Sequence, residues 1–441
     1  MRRILLSFDG LGIQDVPELL HRLPKTRRFV ETAKLIPLDT GVLRSSQAIW
    51  AELLTGEPWH RNGCYGYAHP CKSLNELEIS NEKDLYSRVQ LLKNEAKQSR
   101  SVLINVPLLK PNSSSRVWLS DGSFPTNILV SPSELLRDAS FQEYKPHAYS
   151  HVAGVLGIRN IMAYRCVESE QLRLSCTLNL LSRTDWQRAI WRVSLFDELS
   201  HLIGLRFLGA EDLRITETLQ HFLNALDDGL SQLFEQSQIE IFIISSYSHE
   251  KCLQRLNLNK LLAHGRFLTI DYDVQEFRDG TQRVAAMSAI REGTTGPALM
   301  RSSEGRLRTA ATQAASPVYG CVLINSRVWF EDGLVDAAEH AATSQHVYVY
   351  LKKILDNRFG AAAKIEVNPQ PLSERTGRPC PELIISIDGV DLIDVEDPGL
   401  LDTFPPRTMH SPSGFLAVPA KYTNSPDLLK PTQLVEILNE F

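Results

Sequence analysis

Arg2-Arg3-Ile4-Leu5-Leu6-Ser7-Phe8-Asp9-Gly10 is an apolar run that stops at an aspartate and a glycine. Two arginines before Ile4-Leu5-Leu6 imitate the charged and apolar regions of a signal peptide. The apolar part is far shorter than the roughly 7–15 residues such a segment needs. Arg3 to Phe8 therefore reads as a first β-strand with Asp9 at its carboxyl end. In open α/β sheets function concentrates where loops leave the carboxyl ends of strands, so the reading makes Asp9 a candidate from the outset.

Working outward, short apolar strands alternate with helix-like stretches, the pattern of an α/β sheet with crossover helices. Gln14 to Glu31 has helical spacing interrupted by Pro24, and Ser46 to Leu54 reads as a helix with Ser45 or Ser46 as its cap. Ser101 to Val106 and Ile190 to Phe196 are strands, the second running into Asp197. Between them Lys110 to Ser133 is rich in Pro and Ser and reads as loop. Leu213 to Phe234 is a long helix with Leu219, Leu223, Leu226, Leu230 and Leu233 on one face. Ile239 to Ile244 is a buried strand followed by Ser245-Ser246-Tyr247. Asp271 to Ser316 reads as an irregular excursion, and Glu382 to Ile387 and Gly414 to Val418 are the last strands.

Composition narrows the class. The chain has 441 residues, 43% hydrophobic and 22% charged, which excludes disordered, collagen-like and coiled-coil proteins. At roughly 150 residues per domain this is three units' worth, or one large α/β domain with insertions. Lys and Arg total 47 against 52 Asp and Glu, a net charge of −5, so no broad footprint for nucleic acid follows. No apolar stretch approaches the roughly 20 residues that cross a bilayer. Seven scattered cysteines without a C-x-x-C pair fit reduced thiols and a cytoplasmic setting, and argue against cysteine-bound zinc.

Asp197 and His201 stand four apart, so on a helix both side chains face one side and can share a metal ion. Taken singly, Asp197 is also explained as a carboxylate near a helix N-terminus, Asp9 as a turn residue and His410 as a polar residue of a Pro-rich loop. Ser46 is explained as a cap, although a helix N-terminus also favours a bound phosphate.

The order of these residues resembles that of the alkaline phosphatase superfamily, in particular its predicted phosphohydrolase/phosphomutase branch and, more distantly, the type I phosphodiesterase/nucleotide pyrophosphatases. Phe8-Asp9-Gly10 resembles the first metal-ligand motif. Ser46-Gln47-Ala48-Ile49-Trp50 through Thr55-Gly56 resembles the nucleophile helix, Asp197 to His201 the Asp-x-x-x-His pair, and His410 with Gly414-Phe415-Leu416-Ala417 the final ligand motif. The likeness extends over nearly the whole chain. It implies two metal ions flanking a phosphoryl group, which stabilise the attacking and leaving oxygens. Asp197, His201 and His410 would hold the first ion, with Asp9 and the nucleophile Ser46 on the second.

The sequence departs from that pattern at one place. The family's Ser-Asp-His-Gly reads Ser245-Ser246-Tyr247-Ser248, so Ser246 and Tyr247 replace two ligands of the second ion, with His249 as a neighbouring substitute. Asn62-Gly63 replaces a His-Gly and makes Asn62 a candidate substrate contact. Without the second ion Ser46 lacks its usual activator, while the remaining Asp/His/His set suits zinc first and iron, manganese or magnesium as alternatives.

The expected fold is therefore a mostly parallel sheet sandwiched by helices, with core segments 1–80, 190–270 and 319–441, an inserted cap at 81–189 and a smaller insertion at 271–318. The expected activity is metal-dependent hydrolysis or transfer on a phosphate ester, phosphodiester or related small anionic substrate, with one or two ions. A catalytically degenerate relative that binds a phosphorylated ligand or a protein partner is the competing expectation, followed by repurposed single-metal chemistry.

Overall fold

The computed structural model describes residues 2–66, 68–74, 77–79, 100–109, 116–119, 130–142, 144, 159–183, 186–204, 213–271, 306–307, 312–318, 320–375, 378–393, 401–422 and 426–440. The elements that position the site are β1 (Arg2–Phe8), β2 (Lys34–Asp39), α1 (Ser46–Thr55), β3 (Arg100–Ile104), β4 (Trp186–Val193), α2 (Leu195–Ile203), β5 (Ile239–Ser245), β6 (Ser248–Asn257), β7 (Leu401–Ser411) and β8 (Ser413–Val418). The main sheet has eight strands in the order β2-β8-β5-β1-β4-β3, followed by Arg116–Leu119 and Val130–Ser131. From β5 to Arg116–Leu119 all neighbours are parallel. The two edges are antiparallel.

Because β1 is apolar on both faces, it is covered on both. Ile4, Leu6 and Phe8 pack with Val16, Leu19 and the Leu213–Phe234 helix, whereas Leu5 faces Ile49, Trp50 and the helices of the other layer. Sequence punctuation sets the helix ends. Pro24, which removes an N–H and clashes with the preceding turn, divides the first helical stretch into Val16–Arg22 and Pro24–Val30. Helix α1 ends at Gly56, whose φ of +69° is left-handed backbone.

Some expectations are corrected. The strand read as Ile190 to Phe196 lies at Trp186–Val193; Ser194 is then the N-cap of α2. Asp197 is thus in the first turn of a helix and not on the end of a strand. The stretch read as loop from Lys110 to Ser133 contributes Arg116–Leu119 and Val130–Ser131 to the main sheet. Within the span 81–189, expected as a cap, β3, these two strands and the start of β4 extend the same sheet. Most of the excursion at 271–318 lies outside the described residues. Its end, Ala314–Val318, joins a four-stranded sheet with Cys321–Ile324, Leu383–Ile387 and Ala363–Val367.

A third sheet completes the site. Strand β6 pairs antiparallel with β7, bringing His249 directly opposite His410, and parallel with Val390–Ile393. None of the seven cysteines is in a disulfide. Among the described residues no helix is long and apolar enough to cross a membrane.

Candidate metal centre

The site forms where β1, β4 and β5 end. After Asp9 the chain turns at Gly10, with φ +92°. A Cβ there would lie 2.7 Å from the backbone of Asp197 and 2.9 Å from the His249 ring, so only glycine fits. The Gly10 amide donates to the Tyr247 carbonyl at 3.2 Å, tying the first loop to the turn after β5.

One half of the site is a ring of acceptors. Asp197 and His201 come from one face of α2, His249 from β6 and His410 from β7; their ligand atoms all lie within 4.8 Å of one another. The Asp197 Oδ1 atom stands 3.0 Å from His410 Nε2, 3.1 Å from His249 Nε2 and 3.4 Å from His201 Nε2. His201 Nε2 is 3.0 Å from His410 Nε2 and 3.5 Å from His249 Nε2. Backbone carbonyls of Arg44 and Gly10 face Nδ1 of His410 and His249, at 2.7 and 3.1 Å. A carbonyl only accepts, so these Nδ1 atoms carry the protons and the Nε2 lone pairs point inward.

This donor set fits one divalent ion. Four ligands at about 2.0–2.1 Å around a tetrahedral ion lie about 3.3–3.4 Å apart, close to the five ligand spacings above, while the whole cluster spans up to 4.8 Å. Three imidazoles and a carboxylate suit zinc, and also iron or manganese.

The other half is the reverse. Asp9 is fully buried and accepts from four donors: the hydroxyls of Ser7 and Ser246 (2.8 Å) on Oδ1, the Trp50 indole (2.7 Å) and the Arg192 guanidinium on Oδ2. Burial lowers the Arg192 pKa, but Asp9, Tyr247 and Asp197 hold it well above its ordinary value. Burial, followed by Asp197 and Asp9, likewise raises Tyr247 well above the usual phenol range. Its ring packs on His410 with centroids 4.1 Å apart. Asp9, Ser246 and Tyr247 thus form a hydrogen-bonded, proton-bearing pocket and do not fit a second divalent ion.

No known family pattern and no curated protein matches the sequence. Solved structures do. Phosphonoacetate hydrolase from Sinorhizobium meliloti, in complex with phosphonoacetate, superposes with a TM-score of 0.57 at 10% identity, over 99% of this chain and 94% of that one. The alkaline phosphatase PafA gives 0.50 at 12% identity, over 100% and 95%. A murine ectonucleotide pyrophosphatase/phosphodiesterase gives 0.48 at 11% identity, over 100% and 94%. The chain has the alkaline phosphatase fold.

Within that fold the four-donor cluster contains Asp197, His201 and His410, as the motif order implies, and adds His249. Asp9 stands outside it. Ser46 begins α1, nearly buried, beside the Tyr247 hydroxyl. It precedes by one turn the Trp50 that binds Asp9. Asn62, expected to contact substrate, is consumed locally: its amide donates to the Glu57 carbonyl at 2.8 Å and its oxygen accepts from the Cys64 amide at 2.7 Å.

Two residues were not legible as site residues. Arg192 interrupts the apolar run of β4, and its register opposite Ser7 brings it beside Asp9. A charged residue inside a buried strand is the signal that marks it. Arg44 donates to the His410 carbonyl at 2.9 Å and pairs with Asp388 at 2.9 Å and Glu250 at 3.2 Å, fixing β7 against the loop before α1.

Proposed function

We propose that the chain is a metal-dependent hydrolase or transferase acting on a small anionic substrate: a phosphate ester, phosphodiester or related phosphonate. Asp197, His201, His249 and His410 would hold one divalent ion, with zinc favoured, and Ser46 would be the nucleophile. The observation carrying this reading is the inward-facing cluster of four lone-pair donors, a costly arrangement unless a cation fills it. A bound ion there would supply positive charge and Lewis acidity to the oxygens of the reacting group.

The chain's own residues supply the rest. Ser46 at the start of α1 lies where helix amides carry partial positive charge, which draws an anion toward its hydroxyl. Tyr247, kept as a phenol by burial, acts as a hydrogen-bond donor and not as a base. Its hydroxyl lies beside Ser46, within reach of a substrate oxygen bound there. Cytoplasmic location accords with seven cysteines that form no disulfide.

A second reading is favoured by Asp9. The residue that the resemblance assigns to activating Ser46 is occupied by four donors, as suits a catalytically silent protein that binds a phosphorylated ligand. The two readings separate by measuring bound metal and turnover of p-nitrophenyl phosphate, bis-p-nitrophenyl phosphate and phosphonoacetate by wild type, Ser46→Ala and Asp197→Ala. The hydrolase reading expects metal near one ion per chain and loss of turnover by about three orders of magnitude in both variants. Metal binding without turnover above Asp197→Ala leaves the silent reading. Unchanged turnover in Ser46→Ala removes the covalent route.

A further inference from the structure

We propose that Arg192 stands where a second metal ion would act: the site takes one divalent ion only, and the terminal nitrogens of Arg192 receive a tetrahedral oxyanion beside it. The ion rests on the reading above; the role of Arg192 rests on its own geometry.

Asp9 has no capacity left for a cation from solution. Each of its oxygens accepts two hydrogen bonds, and its charge is matched by a guanidinium that keeps its proton at any working pH. Arg192 uses only Nε for this contact. Its Nη2 lies 3.8 Å from Asp197 Oδ2, beyond hydrogen-bond range, and no terminal nitrogen has a hydrogen-bond partner among the described residues. Four N–H groups of a side chain only 8% exposed are therefore unspent. These terminal nitrogens are not sealed off from solvent, so an acceptor that arrives with the substrate can take them up.

The position is built and held. Asn105 Nδ2 donates to the Arg192 carbonyl and to the Ser194 hydroxyl, both at 3.0 Å, locking the end of β4. Asp197 offers one oxygen to the histidine cluster and turns the other toward Arg192. The guanidinium and the ion position thus flank one carboxylate. With a dication bound, Asp9, Asp197, Arg192 and the ion leave one net positive charge, which one anionic group neutralises. The planar fork of terminal nitrogens matches two oxygens of a phosphoryl or phosphonyl group.

The test uses zinc-loaded full-length protein, equilibrium dialysis with metal analysis, and calorimetric titration with inorganic phosphate. Wild type should bind one ion per chain. Arg192→Lys, which keeps a cation on Asp9 but removes the fork, should still bind one ion and should lose about tenfold or more in phosphate affinity. Two ions per wild-type chain, or unchanged phosphate affinity in a folded Arg192→Lys protein, overturns the proposal. If that variant does not fold, nitrogen NMR of the arginine side chains in wild type decides. A phosphate-dependent shift of a buried guanidinium supports the proposal, and no shift at saturating phosphate overturns it. Arg192-dependent phosphate binding without turnover would retire the hydrolase reading alone, and turnover with Arg192-independent phosphate binding would retire this one alone.

Discussion

The histidine cluster and the Asp9 pocket lie on either side of one loop and solve opposite electrostatic problems. Around Asp197 three imidazoles gather, two of them turning their lone pairs inward, so the cluster is short of positive charge. Around Asp9 the hydroxyls, an indole and a guanidinium all donate, so the pocket carries its own cation. The first needs a ligand to be complete. The second is complete when the chain folds, and the proposal of a single ion follows from that difference.

Three substitutions sharpen the contrast. The largest effect is expected from Asp9→Ala, which leaves Arg192 buried beside no carboxylate. Breaking such a pair costs about 3–5 kcal/mol, read as a lower urea midpoint at unchanged slope. Metal content should stay at one ion per chain, and loss of the ion would show that the two regions are not separate. Next, His249→Ala should weaken zinc binding by about a hundredfold or more, beyond what loss of a group that merely orients a ligand causes. The stability of the metal-free protein should change little. Unaltered zinc affinity in a competition titration would expel His249 from the centre. The smallest effect is expected from Asn62→Ala: about 2 kcal/mol of stability from two lost hydrogen bonds, with turnover untouched. A selective rise in KM would instead return Asn62 to the substrate.

Much of the fold was legible because burial writes itself into local pattern. The apolar run of β1, the leucine spacing of Leu213–Phe234 and the break at Pro24 each follow from rules acting within a few residues. The end of β4 was misplaced because Leu195 and Phe196 continue its apolar run, although they belong to the buried face of a helix whose N-cap is Ser194. Asp197, His201 and His410, which the structure gathers into one cluster, are named by motif order. The full constellation was hidden by pairings distant in sequence. His249 reaches the centre only because β6 follows the turn at Ser246-Tyr247 and pairs with β7 in a register that opposes it to His410. Arg192 meets Asp9 only through the parallel register of β1 and β4. Nothing within either local stretch specifies those partners.

Asp9 and Gly10 are consecutive residues, and they look in different directions. The side chain of the first engages Trp50 and Arg192, while the carbonyl of the second takes the proton of His249. One peptide unit is therefore a mechanical link between the ion position and a wholly buried indole. The buried indole and the His249 imidazole thus hang from adjacent residues of one turn, so a displacement of that turn reaches both.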